Sequence, residues 1–360
     1  MGGRRVRGRS NIALSISMSI GNAVLLGVHQ VCEFVLDLRE ILTTPIRFIE
    51  YLTILYPDMS SSSPKSILVT GATGNQGRAV LSQLLSLNAH SPSPLFTIFA
   101  VTRNTTSLSA KTLAENPHVT LVQGNLDHPS SIFSSLPKGV QIWGVYSVQI
   151  GIGQTEASEI AQGTSLIDAS LAHGVRHFVY SSLVRHPPSV ASKIRIAQFE
   201  SKVVIEAHLK EACKDGAMNY TILQPSGFFE NMKPGMQGAV FAGILKWNLP
   251  KEYKLAYIST DDIGWFAAQS FEDPENPAYK NKEIAPAGDT RGFDDIERIY
   301  REKTGKNLPL PPMGRLLPWL VSNVFVKELG ELFRYFSQAV SRSRSLVLRD
   351  RILRLQCKSS

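Results

Sequence analysis

Three glycines recur at every third position in ILVTGATGNQG, residues 67–77: Gly71, Gly74 and Gly77. The apolar run 67–70 predicts a strand, and residues 76–88 predict a helix. The glycines therefore fall on a strand-to-helix turn, which is where this spacing has a physical use. Gly71 permits the tight turn. Gly74 removes a side chain where a pyrophosphate would approach, and Gly77 lets helix pack closely on strand. The start of the helix offers unpaired N–H groups to phosphates. The chemistry this predicts is dinucleotide binding, and Thr73, Asn75 and Gln76 in the same turn are assigned to the cofactor with the glycines. No Gly-Lys-Ser/Thr follows, so the turn is not the phosphate loop of an ATP hydrolase.

The end of the second strand, 96–101, selects between cofactors. A site selective for NAD places Asp or Glu there to bind the ribose hydroxyls. This chain reads Ala100-Val101-Thr102-Arg103-Asn104 and carries no acid. Arg103 has the fork of donors that suits a 2′-phosphate, so NADP(H) is the expected cofactor. A solvated arginine at a strand edge is the bland alternative. Asp127, in GNLDHPSS (124–131), can accept from an adenine amine or simply serve a turn. Tyr146, in GVYSVQ (144–149), can cover a ring or simply pack.

A reductase also needs a group to manage a proton or an oxyanion. One widespread solution is Tyr-x-x-x-Lys. Here Lys202 opens the helix after the fifth strand, but Gln198 stands four residues earlier, and an amide cannot transfer that proton. Tyr180, Ser181 and Ser182 end the fifth strand, where reactive groups collect in this architecture. The catalytic candidates are therefore Lys202, Ser181 and Tyr180. His173, His177 and His186 form no ligand pattern, and the three cysteines have no metal spacing, so no metal is expected. Gly227-Phe228-Phe229-Glu230-Asn231 can wall a substrate pocket or pack a small lobe.

These groups need a scaffold, and the pattern from Lys65 onward supplies one. Strands at 67–70, 96–101, 119–122, 140–145, 177–180 and 220–223 alternate with helical stretches, notably 156–173 and 199–214. Such alternation means parallel pairing through crossovers. The fold class is α/β, a Rossmann-like parallel sheet flanked by helices. After Pro225 the alternation weakens, and a smaller C-terminal α/β lobe on the substrate side is expected from there, with late helices at 293–304 and 324–336.

The chain has 360 residues and a formal charge of +8, with 43% apolar and 19% charged residues. That fits a globular chain. Residues 1–9 carry four arginines and no acid, and residues 341–360 carry six bases and one acid. The body, 10–340, holds 28 bases and 29 acids. A neutral body argues against direct nucleic-acid binding. Residues 1–64 are an extension and linker whose apolar run 12–28 is interrupted by serines and short for a spanning helix. Targeting, an additional structural piece and sequence foreign to the folded protein all stay open for it, and membrane contact depends on it. Otherwise a cytoplasmic chain, with the nucleus as a second compartment, is the plain expectation.

The motif order resembles the NmrA-like family, an atypical branch of the short-chain dehydrogenase/reductase superfamily. The matching pieces are GATGNQG (71–77), VTRN (101–104), GNLD (124–127), GVYSVQ (144–149), GVRHFVYSS (174–182), FESKVVIE (199–206), QPSGFFENM (224–232), DDIG (261–264) and ELGELFRYF (328–336). They delimit a domain of 65–340. Residues 1–58 add to the family's usual start, and 341–360 form a basic tail unlike its usual end. The resemblance implies NADP(H) at Gly71, Gly74, Gly77 and Arg103, with Lys202 on the nicotinamide side. It also implies one of two roles. One is an oxidoreductase transferring hydride between nicotinamide and a small organic carbonyl or activated double bond. The other is a non-catalytic NADP(H) sensor that binds a regulatory protein such as a transcription factor.

Overall fold

Short runs such as Ile67-Leu68-Val69 and Phe96–Thr102 are apolar on both faces, which suits strands covered by helices on either side. The computed structural model, which describes residues 63–149, 153–184, 196–325 and 330–331, contains such a sheet. All elements below belong to the unit that begins at Pro64. The extension, the basic tail and most of the helix expected at 324–336 lie outside the described residues.

In chain order the main elements begin β1 (Lys65–Val69), α1 (Asn75–His90), β2 (Phe96–Thr102), α2 (Leu108–Ala114), β3 (Val119–Gln123), α3 (Pro129–Ser134) and β4 (Gly144–Ser147). They continue with α4 (Glu156–Ala172), β5 (His177–Ser181), α5 (Ala197–Ala212), β6 (Asn219–Leu223), β7 (Gly227–Phe228), α6 (Met236–Asn248) and β8 (Leu255–Ile258). The last are α7 (Thr260–Glu272), β9 (Lys282–Ile284), β10 (Asp289–Arg291), α8 (Phe293–Thr304) and α9 (Leu316–Leu320).

Seven parallel strands form the main sheet in the order β3-β2-β1-β4-β5-β6-β9. The order reverses between β1 and β4. In such sheets a ligand crevice opens beyond the carboxyl ends of the strands at that point. Side chains alternate across the strands. Ile67, Val69, Ile98 and Val179 pack with Val80 and Leu84 of α1 and with Ile263, Ala267 and Phe271 of α7. Leu68, Val101, Val145 and Phe178 pack with Leu166 of α4 and with Ile205 and Leu209 of α5. Two glycines set the helix spacing. A Cβ on Gly264 would meet the Ala79 carbonyl at 2.6 Å, and one on Gly163 would meet Ile205 at 2.5 Å.

The stretch after Pro225 is shared between two sheets. β7, β8 and β10 form a small sheet of their own, in the order β10-β8-β7. α7 returns to cover the main sheet beside α1, and β9 extends it next to β6. β4 also begins later than its apolar run suggests, because its ladder with β1 starts at Gly144, opposite Ile67. A Cβ at that position would press on Phe271.

Candidate functional site

The turn after β1 has the geometry its glycines permit. Gly71 adopts φ +59°, a region costly for other residues. The Gly74 N–H donates to the Gly71 carbonyl at 2.9 Å. Gly77 is buried, and a Cβ there would collide with the Gly71 carbonyl. Gly74 caps α1 without a side chain, and the first turn carries no acid. The first N–H groups of α1 are thus presented at the switch point with no side-chain cap and no local carboxylate to compete with an anion.

A cleft of about 620 Å³ opens beside this turn. Gly71, Thr73 and Gly74 line one end. Arg103 and Asn104 at the end of β2, and Asn125 and Asp127 after β3, line the rest. Arg103 is exposed and has no ion-pair partner among the described residues. Thr102 and Asn104 are engaged with each other: the Thr102 hydroxyl donates to the Asn104 carbonyl, and Asn104 Oδ1 accepts from Thr106. Asp127 accepts from Gln162 Nε2 and from Asn125 Nδ2, each at 2.7 Å. The bond from Gln162, then that from Asn125, holds its carboxyl below the usual range. Gln162, Ser158, Gln154 and Ser107 also line the cleft. None of these four belongs to a short motif, and only the fold brings α4 to this wall. A small turn with no Cβ at its closest approach, bare N–H groups and a facing arginine fit a dinucleotide with an extra phosphate.

Gln76 lies behind the turn rather than in the cleft. Its Oε1 accepts from the Tyr146 hydroxyl at 3.0 Å and from the Ser181 hydroxyl at 2.6 Å. Two hydroxyls thus spend their protons on one oxygen. Tyr146 is fully buried. Burial pushes its phenol well above the ordinary range, and the neighbouring Ser181 hydroxyl opposes the shift. It packs between β4 and α1 rather than covering the cleft. Asn75 is exposed on the first turn of α1 and does not line the cleft.

The three catalytic candidates do not converge. Ser181 points to the α1 face, whereas Tyr180 points to the α4/α5 face, as neighbours on a strand must. Lys202 lies on the Tyr180 side, with Nζ 5.2 Å from the centre of its ring. It meets Ser181 only through the backbone, donating to the carbonyl at 3.4 Å. Its ion-pair partner is Glu159 of α4, with Nζ to Oε1 at 3.0 Å. Lys202 is 5% exposed and Glu159 2%. Desolvation lowers the lysine's pKa, and Glu159 opposes the shift. Glu159 Oε2 accepts from the Ser201 hydroxyl at 2.5 Å. Ser182 donates to the buried Glu206, which also accepts from Gln224. This polar layer between α4 and α5 was not legible in the sequence, since Glu159 and Lys202 are 43 residues apart.

No cluster of three or more metal-ligating side chains occurs among the described residues. His186, residues 150–152 and the Gln198 side chain lie outside the described residues. Of the aromatic pair after β6, Phe228 packs on the main-sheet core and Phe229 stacks on Tyr257. Glu230 caps α7, its carboxylate accepting from the Thr260 N–H and hydroxyl. No helix among the described residues is long and apolar enough to cross a membrane.

Residues 63–340 match the model of the NmrA-like family. An NmrA-like family domain-containing oxidoreductase, FrzB, of a Cladobotryum species is 24% identical over 276 residues, spanning 69% of this chain and 76% of the relative. Among solved structures, NmrA, a negative transcriptional regulator crystallised with NADP, superposes with a TM-score of 0.56 at 18% identity, covering 77% of this chain and 83% of NmrA. An NADPH-dependent quinone oxidoreductase of Escherichia coli, crystallised with NADPH, gives 0.53 at 19% identity, covering 76% of this chain and 88% of that one. At these identities the structural likeness speaks for the fold.

Proposed function

The chain belongs to the NmrA-like family, and on that premise we propose that it is an NADP(H)-dependent oxidoreductase acting on a small organic carbonyl or activated double bond. The observation that carries the reading is the cleft at the switch point. It joins a turn with glycine at 71 and 74 and the open start of α1 to Arg103, with no acid at the end of β2. Gly71, Gly74 and the first N–H groups of α1 would hold the pyrophosphate, with Thr73 beside them. Arg103 would take the 2′-phosphate, and Asp127 would face the adenine end. When bound, NADP(H) supplies or accepts the hydride.

The remaining residues organise the end of β5. The Ser181 hydroxyl is the protein's candidate for a substrate oxygen, because rotation away from Gln76 Oε1 frees its proton to be donated. Tyr180 and Lys202 support the same strand end from the opposite face. Lys202 would do so through its hydrogen bond to the Ser181 carbonyl, acting as a positioning residue. The direct test is incubation of the full chain with NADPH and a broad panel of small carbonyl and enone compounds, followed by product detection. Turnover supports the reading. Tight NADPH binding with no turnover across the panel overturns it.

A second reading, a non-catalytic NADP(H) sensor for a regulatory protein, is favoured by one observation. Lys202 is committed to Glu159 and the Ser181 hydroxyl to Gln76. Neither points a free polar group into the cleft.

A further inference from the structure

The three strands that end at the cleft lie side by side, in the order β1, β2, β3. Neighbouring strands stand about 4.8 Å apart. A dinucleotide with its pyrophosphate at the β1 turn and its ribose phosphate at Arg103 after β2 would therefore bring its base to the end of β3. The side chains at that end are Asn125 and Asp127, with Gln162 of α4 on the same wall. We propose that Gln162 makes the cleft selective for a 6-amino purine, by fixing the Asp127 carboxylate as the acceptor for the exocyclic amine of the base. This role for Gln162 rests on the dinucleotide reading of the cleft.

Asp127 is exposed at the cleft, yet both of its oxygens are held. Oδ1 accepts from Gln162 Nε2 and Oδ2 from Asn125 Nδ2, each at 2.7 Å. A carboxylate oxygen can accept twice, so each keeps a site for the base. Gln162 is 7% exposed, and the packing around it fixes its amide. A carboxylate only accepts, so the amide nitrogen must face it. That orientation leaves Gln162 Oε1 buried and without a partner, which costs stability. A glutamine that forgoes an acceptor's partner to aim a carboxylate into a cleft serves recognition rather than stability. The bonds from Gln162 and then Asn125 also hold the carboxyl below its usual range, so it is ionised at pH 7. An ionised carboxylate accepts from the 6-amino group of adenine. It opposes the 6-oxo group of hypoxanthine, which has no proton to give there. The N1–H of hypoxanthine sits elsewhere on the ring, and a carboxylate held on both oxygens does not turn to follow it.

Fluorescence titration of the full chain with NADPH and with its hypoxanthine analogue tests this. The unaltered chain should bind NADPH about tenfold more tightly than the analogue. Gln162→Met keeps the length of the side chain and removes its donor. The preference should then fall to about threefold or less, while the urea midpoint does not drop. Asn125→Ala, on an exposed side chain, should fold normally and lower the preference as well. Arg103→Ala should weaken both dinucleotides alike and leave the preference intact, because that contact lies at the ribose phosphate. Failure of NADPH to bind overturns the dinucleotide reading of the cleft and this role with it. NADPH binding with equal affinity for the analogue overturns the role of Gln162 alone. A full preference in folded Gln162→Met does the same, and if that variant does not fold, a full preference in Asn125→Ala decides against it. Loss of the preference in Arg103→Ala overturns it too.

Discussion

Lys202 and Glu159 form an ion pair at 3.0 Å in which both side chains are almost wholly withdrawn from water. A buried pair of this kind adds little to stability in total, but it is costly to break from one side, because the remaining charge stays buried. Glu159→Gln should therefore lower stability by about 3–5 kcal/mol, read from urea unfolding. The double replacement Glu159→Leu with Lys202→Met should recover most of the loss. A cost below about 1 kcal/mol for the single change would remove the pair from the list of groups that hold α5 against α4.

Gln76 serves two hydroxyls with one oxygen. Gln76→Leu leaves the buried Tyr146 phenol and the Ser181 hydroxyl without that acceptor. The expected cost is about 1–3 kcal/mol. Adding Tyr146→Phe should recover part of it, because the stranded donor is then gone. Urea midpoints at constant slope measure both steps. Full additivity of the two changes would show that the hydroxyl does not depend on Gln76.

On the proposed reading, Arg103 takes the 2′-phosphate that distinguishes the two nicotinamide cofactors. Arg103→Ala should weaken NADPH binding by about 10–100-fold, the range expected for a charge-assisted contact. NADH binding should change by less than about threefold. Fluorescence titration with each cofactor reads the difference. Equal losses for both would return Arg103 to the status of a solvated side chain.

His177 provides a pH signature of the fold itself. It is fully buried, and its Nε2 lies 3.1 Å from Thr221 Oγ1. The Thr221 hydroxyl donates to the Tyr279 carbonyl at 2.9 Å. Nε2 must therefore carry the ring proton, which leaves the buried Nδ1 bare and without a partner. Desolvation first, and then the charge of Lys65, lowers its pKa from 6.5 to about 3. Between these values the unfolded chain binds more protons than the folded one, so stability rises with pH through that window and falls as pH drops from 6.5 toward 3. The loss attributable to this residue has a ceiling of roughly 5 kcal/mol. His177→Phe should flatten this part of the curve between pH 7 and 4.5 in denaturant titrations. An unchanged slope would assign it to other groups.

The parts of the fold that read correctly from sequence are local ones. The turn at Gly71–Gly77 needs only its own residues and the strand before it, so spacing and position reveal it. α8 begins at Phe293 and ends at Thr304, the bounds expected for it from the sequence. What depends on distant partners is less legible. β9 is three residues, Lys-Glu-Ile, with no alternation to announce it, and only its register with β6 makes it a strand. α7 reads as part of the lobe because it follows β8 in the chain, yet Gly264 fits it against α1. The place of Lys202 on its helix is visible in the sequence. Its partner is not, because nothing in a linear pattern joins α5 to Glu159.

The return of α7 and β9 to the main sheet has a consequence for the order of assembly. The outer face of α1, which carries the nucleotide turn, waits for its cover until residues up to 272 are available, and the edge of β6 waits for residue 284. A nascent chain that has finished the first six strands therefore still shows an apolar helix face and an open strand edge. Both are features that invite association with other chains. Because these closing contacts span some 60–190 residues of sequence, their formation carries a high loop-closure cost. The nucleotide turn can form early, yet the layer that secures it comes from a segment synthesised partway through the small lobe, after β7, α6 and β8.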